Sequence, residues 1–211
     1  MFPERLAEGY QSFLEGRFQT ERSRYQKLAE KGQNPEIMLI GCCDSRVSPE
    51  VIFDAGPGEM FVVRNVANLV PPFESGSESY HGTSAAIEFG VNGLNVKHIV
   101  VLGHASCGGI KAFYDQAKPL SQGDFIRKWM SQIESVAQGL GASTGDYLAD
   151  LKRLEMAVVE ESLRNLMTFP FIRRRVESGE IELHGTYFGV ATGLLFLRNP
   201  QTGEFKPCLS E

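Results

Sequence analysis

The sequence predicts an α/β protein in which a mainly parallel β-sheet is flanked by helices. Three observations support this fold class. Short runs of β-branched and other apolar residues alternate with longer segments of helical periodicity, the pattern of strand–helix–strand units. Each of two motifs that contain cysteine directly follows such an apolar run. Hydrophobic residues form 42% of the 211 residues and charged residues 22%, so the chain can fill a sizeable core.

The chain is expected to divide into an N-terminal helical arm, residues 1–32, and an α/β domain, residues 33–211. Apolar residues recur at helical spacing over residues 3–31, where Gly16 is expected to divide the helix in two and Gly32 to cap its end. The arm has apolar positions but no partner near it in sequence. Packing on a second subunit and packing on its own domain are both open at this point.

The elements of the α/β domain follow from the same patterns. Strands are expected at residues 37–40, 60–64, 98–102, 180–183 and 194–197. Helices are expected at residues 49–54, 84–94, 121–140, 147–167 and 171–178. Ligands of such sheets bind outside the carboxyl ends of the strands. The two motifs follow the first and the third strand, so they can form one site only if these strands are close neighbours.

The two motifs together indicate a three-ligand zinc site. Cys42 follows the first strand, and His104 and Cys107 follow the third. Two thiolates and one imidazole leave a fourth position open for water, which is the arrangement of a catalytic zinc. The competing interpretation makes both cysteines small buried hydrophobes and His104 a core histidine. It would suit any one of these residues alone, but the placement of all three after strand ends favours the metal.

An acid and a base lie within the first motif. Asp44, two residues from Cys42, could accept a hydrogen bond from a water in the site, or could bind the metal itself and close the open position. Arg46 could hold that carboxylate away through a bidentate ion pair. The alternative is a structural ion pair that only fixes the loop.

The motifs Cys-x-Asp-Ser-Arg and His-x-x-Cys-Gly-Gly resemble those of the β-class carbonic anhydrases, in particular plant-like and type I-like bacterial members. The resemblance extends over residues 33–197 and includes residues 58–68, 84–89 and 169–171. It implies a zinc lyase with one Zn²⁺ per chain. The reaction implied is the reversible hydration of carbon dioxide to bicarbonate and a proton by zinc-bound hydroxide.

The resemblance also assigns roles to residues. It implies the zinc ligands Cys42, His104 and Cys107, with Asp44 as a ligand only in a closed state, the catalytic residues Asp44 and Arg46, and the substrate-binding residues Gln33, Phe61, Val66, Phe89 and Gly108. Family members exchange N-terminal helices in a dimer, and part of each pocket comes from the neighbouring subunit. A homodimer or a dimer of dimers, a homotetramer, is therefore expected.

Three positions depart from the family pattern. Cys43 replaces the usual Ser or Ala and is expected to be a buried packing thiol, and Phe89 replaces a Tyr of plant-like members. Leu39 and Phe188 occupy the Trp and Tyr positions of a regulatory bicarbonate site, of which only Arg64 matches. No such regulatory site is expected. The remaining histidines, His81, His98 and His184, are candidate proton shuttles.

Composition limits the possible partners and location. A net charge of −5 favours neither nucleic acid nor anionic lipid, and no apolar stretch is long enough to span a bilayer. The charged N-terminus does not resemble a secretory signal, and four cysteines are too few for a disulfide scaffold, so a cytoplasmic location is expected. Three other functions stay open: hydrolysis of carbonyl sulfide or carbon disulfide, a structural zinc in an interaction protein, and thiol redox chemistry at the adjacent cysteines.

Overall fold

A computed structural model describes residues 1–75 and 80–209 of the chain. Its centre is one six-stranded sheet in the order β2-β1-β3-β4-β5-β6. The strands are β1 (Ile37–Cys42), β2 (Met60–Asn65), β3 (His98–His104), β4 (Glu182–Phe188), β5 (Leu195–Arg198) and β6 (Phe205–Pro207).

The sheet is parallel over its first four strands, and β5 and β6 are antiparallel. The predicted fold class is therefore confirmed, as is the predicted neighbourhood of β1 and β3. Gly41 of β1 lies opposite Leu102 of β3, so the two strands end close together. The strand β6 was not predicted, because it has three residues, including a lysine and a proline, and carries no alternating apolar pattern.

Nine helices lie among the described residues. They are α1 (Glu4–Glu15), α2 (Arg17–Lys31), α3 (Pro49–Ile52), α4 (Gly82–Glu88), α5 (Gly108–Tyr114), α6 (Phe125–Met130), α7 (Glu134–Gly139), α8 (Tyr147–Leu166) and α9 (Pro170–Glu177). The N-cap of α8 is Asp146, whose side chain accepts hydrogen bonds from the amides of Leu148 and Ala149. No helix of the described residues is long and apolar enough to cross a membrane.

Two predicted helices are wrong in part. The helix expected at 121–140 begins only after Asp124, which has a left-handed φ of 43°, and a 3₁₀ turn separates α6 from α7. The helix expected at 84–94 is α-helical only as far as Glu88, and a π-helical turn follows over Phe89–Gly93. A Cβ at Gly90 would lie 2.9 Å from the Met38 sulfur, so a larger residue in this turn would have to displace that side chain.

The helical arm consists of α1 and α2, which meet at Gly16 as predicted. None of their residues is buried within the chain. The rings of Phe13, Phe18 and Tyr25 contact one another with centroids 5.4–5.9 Å apart. The arm reaches its own domain through an ion pair of 2.8 Å between Arg24 and Glu59. Its packing on a second subunit stays a prediction.

Two apolar clusters form the core. One contains Met38, Ile99 and Val159, and the other contains Cys42, Cys107 and Val158. Neighbouring residues of α8 thus enter different clusters, which ties this helix to both. The second cluster surrounds the carboxyl ends of β1 and β3 and builds a dry, rigid setting for the motifs that follow these strands.

Candidate metal centre

The two motifs meet at the carboxyl edge of the sheet. Cys42 is the last residue of β1, His104 is the last of β3, and Cys107 lies at the turn that begins α5. All three are at most 5% exposed. One ligand atom of each lies within 4.8 Å of the others, and the two sulfurs are 3.9 Å apart without forming a disulfide.

This arrangement fits a zinc ion. Two sulfurs bound to one tetrahedral zinc at about 2.3 Å lie about 3.8 Å apart, close to the separation of Cys42 and Cys107. The Nδ1 atom of His104 lies 3.0 Å from the carbonyl of Ala105 and donates to it. In the neutral ring this leaves Nε2 as the acceptor, and Nε2 is buried without a hydrogen-bond partner among the described residues. A buried acceptor without a donor is costly, and a metal ion would satisfy it.

The surroundings of Cys42 change the pKa of its thiol. The hydrogen bond with Cys107 and the nearby His104 imidazole lower the pKa of the Cys42 thiol, against the opposing effect of burial. A thiolate is thus favoured beside the imidazole, and the thiolate is the form that binds metal.

A bidentate ion pair joins the two charged residues of the first motif. Arg46 donates from Nε to one oxygen of Asp44 at 2.9 Å and from a terminal nitrogen to the other at 2.7 Å. The Arg46 amide also donates to Asp44, at 3.0 Å. These hydrogen bonds hold the pKa of the Asp44 carboxyl well below its usual range, so it is ionised at neutral pH. Arg46 donates further to the carbonyl of Ser106, which links the two motifs.

Arg64 of β2 fixes the backbone of the first motif. Its guanidinium donates to the carbonyl of Cys42 at 2.8 Å and to that of Asp44 at 2.7 Å. Charge-assisted hydrogen bonds of this kind are short and strong. Arg64 thus holds the loop on which one thiol and one carboxylate of the site are carried.

Sequence reasoning missed a second support, behind Cys107. The amide of Cys107 donates to Glu155 at 2.9 Å, and the hydroxyl of Tyr187 donates to the other oxygen of the same carboxylate at 2.7 Å. Burial raises the pKa of Glu155, and burial together with that carboxylate raises the pKa of Tyr187. A signal was present in the sequence, since Glu155 lies on the apolar stripe of α8 that also contains Leu151 and Val158.

A cavity of about 570 Å³ opens beside the first motif. It is lined mainly by apolar surface and includes Cys43, Val66, His81, Phe125 and Trp129. The indole nitrogen of Trp129 donates to the carbonyl of Val66 at 2.8 Å, which orders one wall. Cys43 is exposed, so the expectation that it is buried is wrong.

The predicted substrate-binding residues are divided between two places in the single chain. Val66 lines the cavity, and Gly108 begins α5 directly after Cys107. Phe61 lies opposite Met38, four residues along the sheet from Cys42, which is roughly 13 Å. The rings of Phe61 and Phe89 contact each other with centroids 5.7 Å apart, away from the three metal-binding side chains. Gln33 is exposed and lies before the start of β1.

The three candidate proton shuttles also lie in two different places. His81 lines the cavity. His98 begins β3, and His184 lies near the start of β4, so both are toward the opposite end of these strands from His104. Within one chain, His98 is six residues of strand away from His104, too far for direct proton transfer between them.

Comparisons with known proteins agree on one family. The carbonic anhydrase family model matches residues 37–195. Beta carbonic anhydrase 5, chloroplastic, of Arabidopsis thaliana is 35% identical over 185 residues, which cover 87% of this chain and 60% of the relative. The chain thus spans about three fifths of the length of that curated relative.

Solved structures extend the likeness to the whole fold. The β-carbonic anhydrase CcaA superposes with a TM-score of 0.90 at 29% identity, covering 99% of this chain and 92% of that one. One of two tetrameric β-carbonic anhydrases of Sordaria macrospora superposes with a TM-score of 0.78 at 30% identity, covering 95% of this chain and 96% of that one. The arm is therefore included in the superposition with the first structure.

Proposed function

This chain belongs to the β-class carbonic anhydrase family, and from that membership we propose that it catalyses the reversible hydration of carbon dioxide to bicarbonate and a proton. The observation that carries the proposal is the buried cluster of Cys42, His104 and Cys107 beside the ion pair of Asp44 and Arg46. We propose one Zn²⁺ per chain as its cofactor. A structural zinc would need a fourth protein ligand, and Asp44 is held by Arg46 instead.

The three buried side chains would hold the ion. Zinc supplies Lewis acidity, which makes water a nucleophile near neutral pH. The ionised carboxylate of Asp44 accepts a hydrogen bond from the attacking water and orients it. Arg46 engages both carboxylate oxygens, which would keep Asp44 from binding the ion itself. Arg64 and Glu155 position the two loops through backbone contacts.

The substrate would reach the site through the apolar cavity. Carbon dioxide is linear and uncharged, and the walls near Val66 and Trp129 offer it apolar contact. We propose that Gln33, Phe61 and Phe89 complete the pocket of a neighbouring subunit rather than that of their own chain. Phe89 is 53% exposed for a large aromatic residue, and burial in a neighbour's pocket would account for this.

We propose that the arm, residues 1–32, packs on the neighbouring subunit of a homodimer, which can pair further into a tetramer. None of the residues of its two helices is buried in its own chain, and Phe2, Leu6 and Tyr10 are exposed. The Sordaria relatives are described as tetrameric. Removal of residues 1–32 should yield monomers in analytical ultracentrifugation. Dimers of the truncated chain at the same concentration would contradict the exchange.

We also propose a cytoplasmic location. The four cysteines are free, which suits a reducing compartment. The Arabidopsis relative is described as chloroplastic, so the location needs its own test. Cell fractionation with an antibody to the chain would place it.

The function is tested by measuring carbon dioxide hydration and zinc content together. The wild type should bind zinc and hydrate carbon dioxide on both sides of neutral pH. Asp44→Asn should keep its zinc and lose activity by about 10²-fold or more, the usual contribution of a proton-handling group. The matched control is Asp54→Asn, where the left-handed backbone with a φ of 47° accepts Asn.

Two results would contradict the proposal, the first for the function and the second for the role of Asp44. Zinc-loaded wild type without hydration activity would exclude the enzyme function. Full activity in Asp44→Asn would exclude the role of the carboxylate and leave only the metal ligands in place.

A further inference from the structure

A second group of potential metal ligands lies on β3 and β4. The Nδ1 atom of His98 is 3.2 Å from the Nε2 atom of His184. An oxygen of Glu182 lies 3.7 Å from each of these nitrogens. The three atoms form a small triangle of two imidazole nitrogens and one carboxylate oxygen, partly open to solvent.

The triangle follows from strand register. His98 lies directly opposite Glu182 on the neighbouring parallel strand. His184 is two residues beyond Glu182, so both side chains point to the same face of the sheet. Neighbouring strands are about 4.8 Å apart, which brings all three side chains together without a loop. The ligands are therefore held by the most regular part of the fold.

We propose that His98, Glu182 and His184 form a second metal site, which binds a divalent transition cation such as zinc. Two imidazoles and one carboxylate suit zinc, copper or nickel better than calcium or magnesium. Nitrogens bound to tetrahedral zinc at about 2.05 Å lie about 3.3 Å apart, close to the 3.2 Å that separates the two rings. The oxygen needs to move by only a few tenths of an ångström to complete the set.

The charges around the triangle support a cation. The carboxylate of Glu182 supplies one negative charge, and the neighbouring ammonium of Lys97 is already paired with Glu36.

The proposed site is separate from the candidate metal centre. His98 and His104 are the first and last residues of β3, six residues apart. At about 3.3 Å per residue, the two places are roughly 20 Å apart, at opposite ends of the same strand. The second site cannot share a reactant with the first, and its effect would be to join β3 to β4 where the two strands begin.

The test measures zinc bound to the full chain after dialysis at buffered, micromolar free zinc and mildly alkaline pH. The wild type should bind two zinc ions per chain by elemental analysis. The double variant His98→Asn, His184→Asn should bind one. The matched control, His81→Asn, removes a histidine outside the triangle and should still bind two.

A second pair of variants keeps the test decisive if the double variant does not fold. Glu182→Gln changes an exposed side chain and should weaken the second zinc at least about tenfold, since even partners outside the ligand shell contribute that much. Cys42→Ser should lose the first zinc and keep the second. Cobalt bound to Cys42→Ser should then show the weak visible bands of nitrogen and oxygen ligands without the intense absorption of thiolate ligands.

The outcomes separate the possibilities. Folded Cys42→Ser that binds no zinc under these conditions would overturn the proposal. A second zinc that persists at unchanged affinity in both the double variant and Glu182→Gln would assign that ion elsewhere and overturn it equally. Cys42→Ser lacks a ligand of the candidate metal centre, so its zinc content tests the second site independently of the proposed function.

Discussion

Replacement of Glu155 by Met should destabilise the protein, because two buried donors lose their acceptor. Glu155 is 2% exposed and accepts hydrogen bonds from the Cys107 amide and the Tyr187 hydroxyl. Each unsatisfied buried donor costs about 1–3 kcal/mol, which gives about 2–6 kcal/mol for the two. Burial of the apolar Met offsets part of this, so we expect a net loss of about 3 kcal/mol. For a chain of this size that loss lowers Tm by roughly 6–12 °C.

Glu155→Gln is the matched variant. Its amide oxygen can still accept from Cys107, and its amide nitrogen can donate to the Tyr187 oxygen, so we expect a loss below about 1 kcal/mol. Thermal unfolding followed by circular dichroism on the zinc-loaded protein, at one fixed protein concentration, measures both. Glu134→Met, at an exposed site on α7, controls for the change of residue type and should have little effect.

A double-mutant cycle identifies the cause. Tyr187→Phe removes one of the two donors, so Glu155→Met should cost less in the Tyr187→Phe background than in the wild type. If Glu155→Met and Glu155→Gln unfold at the same temperature, the reasoning from unsatisfied donors is refuted. Purely additive effects of the two positions would refute the direct contact between them.

Two further changes test packing and titration. Gly103→Ala would place a Cβ 2.5 Å from Val159, so its free energy of unfolding in urea should fall by about 1–3 kcal/mol. Gly139→Ala, with open space around it, should have no such effect. Equal stability of the two variants would contradict the close packing of α8 on β3. Hydrogen bonds from the Ser143 hydroxyl and the following amide lower the pKa of the buried Asp150 to about 2, below its value in the unfolded chain. Its stabilising contribution is therefore complete above about pH 4 and lost as the pH falls toward 2. Asp150→Asn should flatten this acid limb of the stability curve, and an unchanged limb would assign it to other carboxyls.

The regular elements were predictable because they depend on residues close together in sequence. The alternation of apolar strands and helices gave the parallel sheet, and the glycine at position 16 gave the division of the arm. The motif side chains Cys42, His104 and Cys107 could be singled out because each of the two motifs directly follows an apolar run. A strand end is a local property, and parallel strands bring such ends to one edge.

The errors in the predicted helices concern where a helix breaks or changes type. The helix expected at 84–94 changes to a π-helical turn after Glu88, and Gly90 within that turn lies close to Met38. The helix expected at 121–140 is interrupted by a 3₁₀ turn, although its apolar periodicity continues. Periodicity records which face is buried, but it does not record how closely the neighbouring element approaches.

The sequence by itself determined the fold class, the order of most elements and the residue types that can bind a metal. Only the tertiary structure decided which distant residues support them: Arg64 behind the first motif, and Glu155 with Tyr187 behind the second. The triangle of His98, Glu182 and His184 likewise exists only through the register of β3 against β4. Local patterns follow from backbone geometry within a few residues, whereas register and buried hydrogen bonds follow from the packing of the whole chain, which no short window of sequence contains.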